Sequence, residues 1–199
     1  MKESFLLEHC IFHRMTPEIV AKCGEFSCIK KDGKGKDIDD FFHGEYISYA
    51  KNRYCRSYCF VHKIDKKLVA AFTLSSTSIS VKSNKKFNKE AIESGIAAGE
   101  DLPQYPAILL GQLAVFNDYS GKDIGHEVVQ FVKAILADSD PVNNPELTFN
   151  NIGARFIIVD AHNAPYVLKM YKDCGFSYAF STQKPEAISH KMFFDLTTV

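Results

Sequence analysis

Two almost wholly apolar runs constrain this chain most: Ile108-Leu109-Leu110-Gly111-Gln112-Leu113-Ala114-Val115 and Phe156-Ile157-Ile158-Val159. A strand with one wet face alternates apolar and polar residues. A run without that alternation reads as a strand covered on both faces. Between the two runs, Ile124, Val128, Phe131, Val132 and Ile135 recur at helical spacing and form one apolar stripe. Strand, amphipathic helix and buried strand make a βαβ unit, with parallel strands and a right-handed crossover. Gly111, inside the first run, suits a bulge that frees backbone groups.

The flanking sequence fills out an α/β chain. Ile38, Phe41, Phe42, Tyr46 and Tyr49 predict a helix over Asp37 to Tyr54, with Asp37 as its N-cap. The charged, glycine-bearing stretch Lys30 to Asp37 before it reads as a solvated loop. Tyr58–His62 and Leu68–Leu74 predict two strands joined by a hairpin turn at Asp65-Lys66-Lys67. Residues 82–104 read as an insertion with a short helix over Ala91 to Ala98. A polar loop with Pro141 and Pro145 ends the amphipathic helix. Asn163 is expected to cap a last helix, with Pro165 in its first turn and Gly175 just past its end. Ser177 to Phe180 and Met192 to Leu196 are two further strands. The sum is a central mixed sheet with helices on both faces.

Composition bounds the function. A chain of 199 residues with 46% hydrophobic residues excludes disorder and reads as one domain over 1–199. Twenty-four Lys and Arg balance twenty-four Asp and Glu, which removes the strongly basic balance of a dedicated nucleic-acid binder. No apolar run approaches the ~18 residues of a membrane span, and Glu8 interrupts the start where a signal-peptide core would lie. A cytoplasmic protein is expected. Cys55-x3-Cys59 lacks a second ligand pair, so no metal site is expected and both thiols read as small hydrophobes.

The chemistry concentrates in Tyr119-Ser120-Gly121-Lys122-Asp123-Ile124-Gly125-His126, between the buried strand and the amphipathic helix. Glycines there let the backbone turn and approach a ligand. Unpartnered first-turn N–H groups and the positive end of the helix dipole suit a diphosphate. A tight turn is the plain alternative.

Three segments in order carry a resemblance to the GCN5-related N-acetyltransferases. Leu109-Leu110-Gly111-Gln112-Leu113-Ala114-Val115 resembles that superfamily's central strand. Tyr119 to Gly125 resembles its R/Q-x-x-G-x-G/A loop. Val159-Asp160-Ala161-His162-Asn163, followed by Met170-Tyr171-Lys172-Asp173-Cys174-Gly175-Phe176, resembles its last strand and its Asn-to-Tyr helix ending in Gly-Phe. The match covers residues 106–176, and the front half is closest in pattern to the subgroup of toxin-type acetyltransferases.

The resemblance implies acetyl-CoA as cosubstrate, held by Leu113, Ala114, Val115, Ser120, Gly121, Lys122, Asp123, Ile124, Gly125, His126 and Asn163. It implies Tyr171 as the general acid that protonates the leaving thiolate. Among partners it opens an amine acceptor, tRNA included, an antitoxin-like protein and a homodimer. Lys82, Lys85, Lys86 and Lys89, with Arg53 and Arg56, are the cations available for phosphates. Asp118, Asp160 and His162 are candidate bases by residue type only.

Two positions depart from the pattern. Ser120 stands where the superfamily has Arg or Gln, and Asp123 where it has the middle glycine. A carboxylate about 6 Å from a phosphate charge costs roughly 3 kcal/mol at an effective dielectric near 20. As an N-cap facing water, Asp123 would avoid that cost. The alternative reading is a noncatalytic module of the same fold with a weakened cofactor loop.

Overall fold

The computed structural model describes residues 4–80, 104–137, 153–180 and 183–199. The four lysines of the insertion, the helix expected over Ala91–Ala98 and the loop with Pro141 and Pro145 lie outside the described residues. Seven strands form one sheet in the order β1-β2-β3-β4-β5-β7-β6. They are β1 Cys10–Arg14, β2 Arg56–His62, β3 Leu68–Ile79, β4 Tyr105–Val115, β5 Phe156–His162, β6 Ser177–Tyr178 and β7 Ser189–Asp195. The expected parallel pair is present: Ala107, Ile108 and Leu109 face Phe156, Ile157 and Ile158. β1–β2, β2–β3, β5–β7 and β6–β7 are antiparallel, so the sheet is mixed. No helix among the described residues is long and apolar enough to cross a membrane.

The chain divides into two compact units, Met1–Ser75 with Leu110–Val128, and Ser76–Leu109 with Val129–Val199. The first holds the helices α1 Phe5–His9, α2 Pro17–Lys22, α3 Lys36–Asp40 and α4 Tyr46–Lys51, with a π-helical turn over Phe41–Glu45 joining the last two. Its core gathers Met15, Phe41, Phe42, Tyr46, Cys59, Ala114 and Phe116. Cys59 is fully buried and Cys55 packs against the same cluster, as small hydrophobes do. The sequence offered no sign of β1, whose five residues include His13 and Arg14.

The long helix starts and ends differently from expectation. Gly35, not Asp37, is its N-cap, at φ 84°. A Cβ at Gly35 would lie 3.1 Å from the Cys28 carbonyl oxygen. The buried Asp39 carboxylate accepts the Cys28 N–H at 2.6 Å and draws the preceding loop onto the helix, which sets that start. The end falls at Lys51 rather than Tyr54. Tyr54 N–H donates to the Tyr49 carbonyl (2.9 Å) and Arg53 N–H to that of Ala50 (3.2 Å), with Arg53 at φ 58°. That is a Schellman closure with a non-glycine residue in the left-handed position, at a cost of about 1 kcal/mol.

In the second unit β7 covers β5 along seven residue pairs. The helix α5, Ile124–Leu136, contributes to it from Val129 onward, and α6 spans Pro165–Asp173. Gly175 stands just past α6 at φ 86°, as expected. Asn163 is not the cap. Ala164 holds that position without a side-chain bond, while Asn163 Nδ2 donates to the Pro185 and Ala187 carbonyls, both at 2.8 Å. Its backbone N–H also donates to the Ile188 carbonyl at 2.8 Å, so residue 163 is tied to the 185–188 stretch and the helix starts after Ala164. β6 stops at Tyr178, and β7 ends at Asp195 because Leu196 enters a 3-10 turn.

Candidate active site

The candidate residues fall into two groups, one in each unit. In the first unit β4 leaves the fully covered pattern expected of it. Ala107, Ile108 and Leu110 are buried, but Gly111 is exposed and Gln112, Leu113 and Val115 are half-buried. Gln112 N–H donates to Thr73 Oγ1 at 3.0 Å, so a side chain takes the bond that a neighbouring strand's carbonyl normally would. A Cβ at Gly111 would lie 2.7 Å from that same Oγ1. Thr73 is buried and β-branched, so it cannot swing away cheaply. Gly111→Ala should therefore lower stability by about 1–3 kcal/mol in urea unfolding, and adding Thr73→Ala should recover most of it.

Past Val115 the chain turns through a 3-10 segment, Asn117–Tyr119. Asn117 N–H donates to the Ser27 carbonyl (2.8 Å) and its side chain to that of Ile29 (3.0 Å), which pins the loop's start. Ser120 Oγ donates to the Asn117 carbonyl at 3.0 Å, so its proton is engaged within the loop. Gly121 and Asp123 both take left-handed backbone, at φ 78° and 62°. The Asp123 carbonyl accepts the first helical bond, from Glu127 N–H, and its side chain is exposed. Asp123 thus holds the N-cap position of α5. Gly125 and His126 follow in the first turn, half-buried, while Ile124 anchors it in the core. First-turn N–H groups have no intrahelical partner and carry the positive end of the helix dipole.

Several supporting residues carried no signal of their own. Glu127 accepts from Ser4 Oγ (2.8 Å) and Leu6 N–H (2.9 Å), tying α1 to the start of α5. Tyr119 donates to Asp65 Oδ2 at 2.9 Å, and His62 Nδ1 lies 3.0 Å from Asp65 Oδ1. Desolvation alone would raise the Asp65 carboxyl, but the Lys67 amide, the Tyr119 hydroxyl and His62 together hold it below the usual range. Lys122 Nζ sits over the rings of Tyr119 (5.3 Å) and Phe5 (5.9 Å). The Glu127, Tyr119–Asp65 and Lys122–Phe5 contacts join residues far apart in sequence, so no local pattern reveals them.

In the second unit Tyr171 occupies the third position from the end of α6. Phe176 N–H donates to the Tyr171 carbonyl (2.9 Å) and Gly175 N–H to that of Lys172 (2.8 Å). This is a second Schellman closure, and its apolar contact is the Tyr171–Phe176 ring pair, 5.4 Å apart and edge-on. Lys133 Nζ donates to the Cys174 carbonyl at 3.0 Å and lies 3.9 Å from the Phe194 ring centroid, bracing the helix end. Tyr171 is 5% exposed, and burial pushes its phenol well above the ordinary value. No hydrogen-bond partner of its hydroxyl is found among the described residues. Asp160 pairs with Lys191 at 3.3 Å and Asp118 with Lys67, while His162 is exposed.

No family model and no curated protein matches the sequence. Solved structures do. A tyrosine-to-phenylalanine mutant of KacT matches with TM-score 0.69 at 14% identity, over 96% of this chain and 97% of that one. AtaT complexed with acetyl-methionyl-tRNAfMet matches with TM-score 0.66 at 14% identity, over 95% and 96%. AtaTR bound with acetyl-CoA matches with TM-score 0.65 at 14% identity, over 96% of each chain. The strand order, the parallel pair and these likenesses give the chain the GCN5-related N-acetyltransferase fold, in the form that KacT and AtaT share.

Proposed function

We propose that this protein moves an acetyl group from acetyl-CoA to a primary amine. The observation that carries the reading is Tyr171, whose ring is buried at the closure of α6 against Phe176 and whose phenol burial keeps protonated. The diphosphate of acetyl-CoA would lie on the first-turn amides of α5, flanked by Ser120, Gly121, Lys122, Asp123, Ile124, Gly125 and His126. Its pantetheine arm would pair with the backbone of Leu113, Ala114 and Val115. The Asn163 side-chain oxygen remains an acceptor toward the arm.

The transfer needs no covalent enzyme intermediate. The amine nitrogen attacks the thioester carbon, the C–S bond breaks, and sulfur takes a proton as nitrogen loses one. The Tyr171 hydroxyl passes its proton to sulfur and is refilled by the proton leaving nitrogen. Burial disfavours a standing phenolate, so the two transfers must be nearly simultaneous.

The acceptor we favour is an aminoacyl-tRNA. AtaT complexed with acetyl-methionyl-tRNAfMet, at 14% identity, supports that class by likeness. AtaT toxin bound to the C-terminus of the antitoxin AtaR supports an antitoxin-like protein partner. Calorimetry with acetyl-CoA tests the reading directly: saturable binding well below millimolar is expected, and no heat at millimolar ligand ends it. Asp123→Gly should tighten binding by less than about tenfold, since an exposed carboxylate is screened by solvent. A gain beyond a hundredfold would put the carboxylate against the phosphates.

A further inference from the structure

The turn between β2 and β3 reaches beyond its own hairpin. The two oxygens of the Asp65 carboxylate serve different partners. Oδ1 stays within the turn, accepting Lys67 N–H at 3.0 Å with His62 Nδ1 3.0 Å away. Oδ2 leaves the turn and accepts the Tyr119 hydroxyl at 2.9 Å, 54 residues along the chain. Lys67 extends to the same loop and pairs with Asp118. Both tethers land between the end of β4 and the start of α5, where the acetyl-transfer reading sets the diphosphate.

The contacts close into a ring of elements within the first unit. Lys63 N–H donates to the His9 carbonyl at 2.8 Å and joins the turn to α1. The Phe5 ring of α1 stacks on His62, with centroids 6.0 Å apart and planes 9° apart. Ser4 and Leu6 carry α1 on to Glu127 in α5. Phe5 and Tyr119 lie 6.0 Å apart, and Lys122 Nζ rests over both rings. A lysine on a flexible four-carbon stem samples solvent widely, and two aromatic faces hold its ammonium near the loop. The hydroxyl bond to Asp65 fixes the Tyr119 ring that carries this cation. Burial and Asp65 push the Tyr119 phenol well above its ordinary value, so it stays a donor.

We propose that Asp65 is a positioning residue for acetyl-CoA: it holds Tyr119, and through that ring the Lys122 ammonium, where the coenzyme's phosphates bind. This role rests on the acetyl-transfer reading and extends the coenzyme site to a turn outside the glycine-bearing loop. It also has a sign that charge alone does not give. A carboxylate beside an anion site repels the anion, so removing Asp65 for its charge would tighten acetyl-CoA. Removing the group that holds Lys122 in place weakens it. Asp65 therefore acts through Tyr119 and Lys122, against its own field.

The test is calorimetry of the full chain with acetyl-CoA at low and at moderate salt. Asp65→Ala should weaken binding about tenfold and flatten its salt dependence. Tyr119→Phe keeps the ring and loses only the hydroxyl, so binding should weaken roughly three- to tenfold while Tm falls by no more than about 5 °C. Lys122→Ala should weaken binding about tenfold. Adding Asp65→Ala to it should weaken binding less than about twofold further, because both changes remove the same cation from the phosphates. Tighter binding in Asp65→Ala, unchanged binding in Tyr119→Phe, or additive losses in the double variant would overturn the role. So would a loss in Asp65→Ala that keeps the wild-type salt dependence and tracks a lower Tm. No heat from wild type at millimolar acetyl-CoA defeats the acetyl-transfer reading and this role with it; wild-type binding with unaffected variants defeats the role alone.

Discussion

Tyr171→Phe is expected to lower the turnover of acetyl transfer by about 10²–10³-fold while acetyl-CoA affinity stays within about threefold. Phenylalanine keeps the ring that packs on Phe176 and keeps both hydrogen bonds of the helix closure, which are made by backbone groups. Only the hydroxyl is lost, and no described residue depends on it. Stability should therefore change by less than about 1 kcal/mol, and the kinetic loss reports chemistry rather than misfolding. Burial raises the phenol's pKa, so the hydroxyl keeps its proton beyond the ordinary phenol value near 10. In wild type, kcat should not fall through pH ~9.5 on account of this group. Unchanged turnover in the phenylalanine variant would remove Tyr171 from the reaction.

The second large effect is alkaline unfolding. Desolvation pushes the thiols of Cys10, Cys28 and Cys59 up to about 12 from an ordinary value of 9.0. Each folded-state value is raised, so the folded protein holds its proton where the unfolded chain has lost it. The stabilisation is whole below pH 9 and is lost as pH rises toward 12. A single fully buried thiol contributes about 1.4 kcal/mol per pH unit in that window. With screening allowed for at Cys10 and Cys28, the three together should cost roughly 2–4 kcal/mol per unit. Urea midpoints measured from pH 8 to 11 under reducing conditions check this. A flat profile would mean that the thiols ionise freely in the folded state. Cys59→Ala should flatten the profile by about a third, whatever its effect at pH 7.

Legibility differed by element. The parallel pair, the amphipathic helix and Gly175 behind α6 were readable because each is a local pattern: an unbroken apolar run, a 3.6-residue stripe, a glycine where the backbone turns left-handed. Asp123 was readable to the same degree, as a cap residue that tolerates its φ of 62°. Asp37 and Asn163 misled for one reason. Each is a residue type that caps helices, but capping is a competition for donors and acceptors. At Asp37 the contest went to Gly35 and the Asp39–Cys28 bond. At Asn163 it went to the carbonyls of Pro185 and Ala187.

Sequence alone determined the central βαβ unit, the glycine-bearing loop before α5 and the Tyr-to-Gly-Phe helix end, since short-range sterics and hydrophobic period decide each of these within a few residues. Tertiary structure alone decided how that loop is braced by Phe5, Tyr119, Asp65 and Glu127, and why Gly111 must lack a side chain beside Thr73. Those facts depend on atoms brought within a few ångströms from positions up to 123 residues apart, and chain folding is what supplies that proximity.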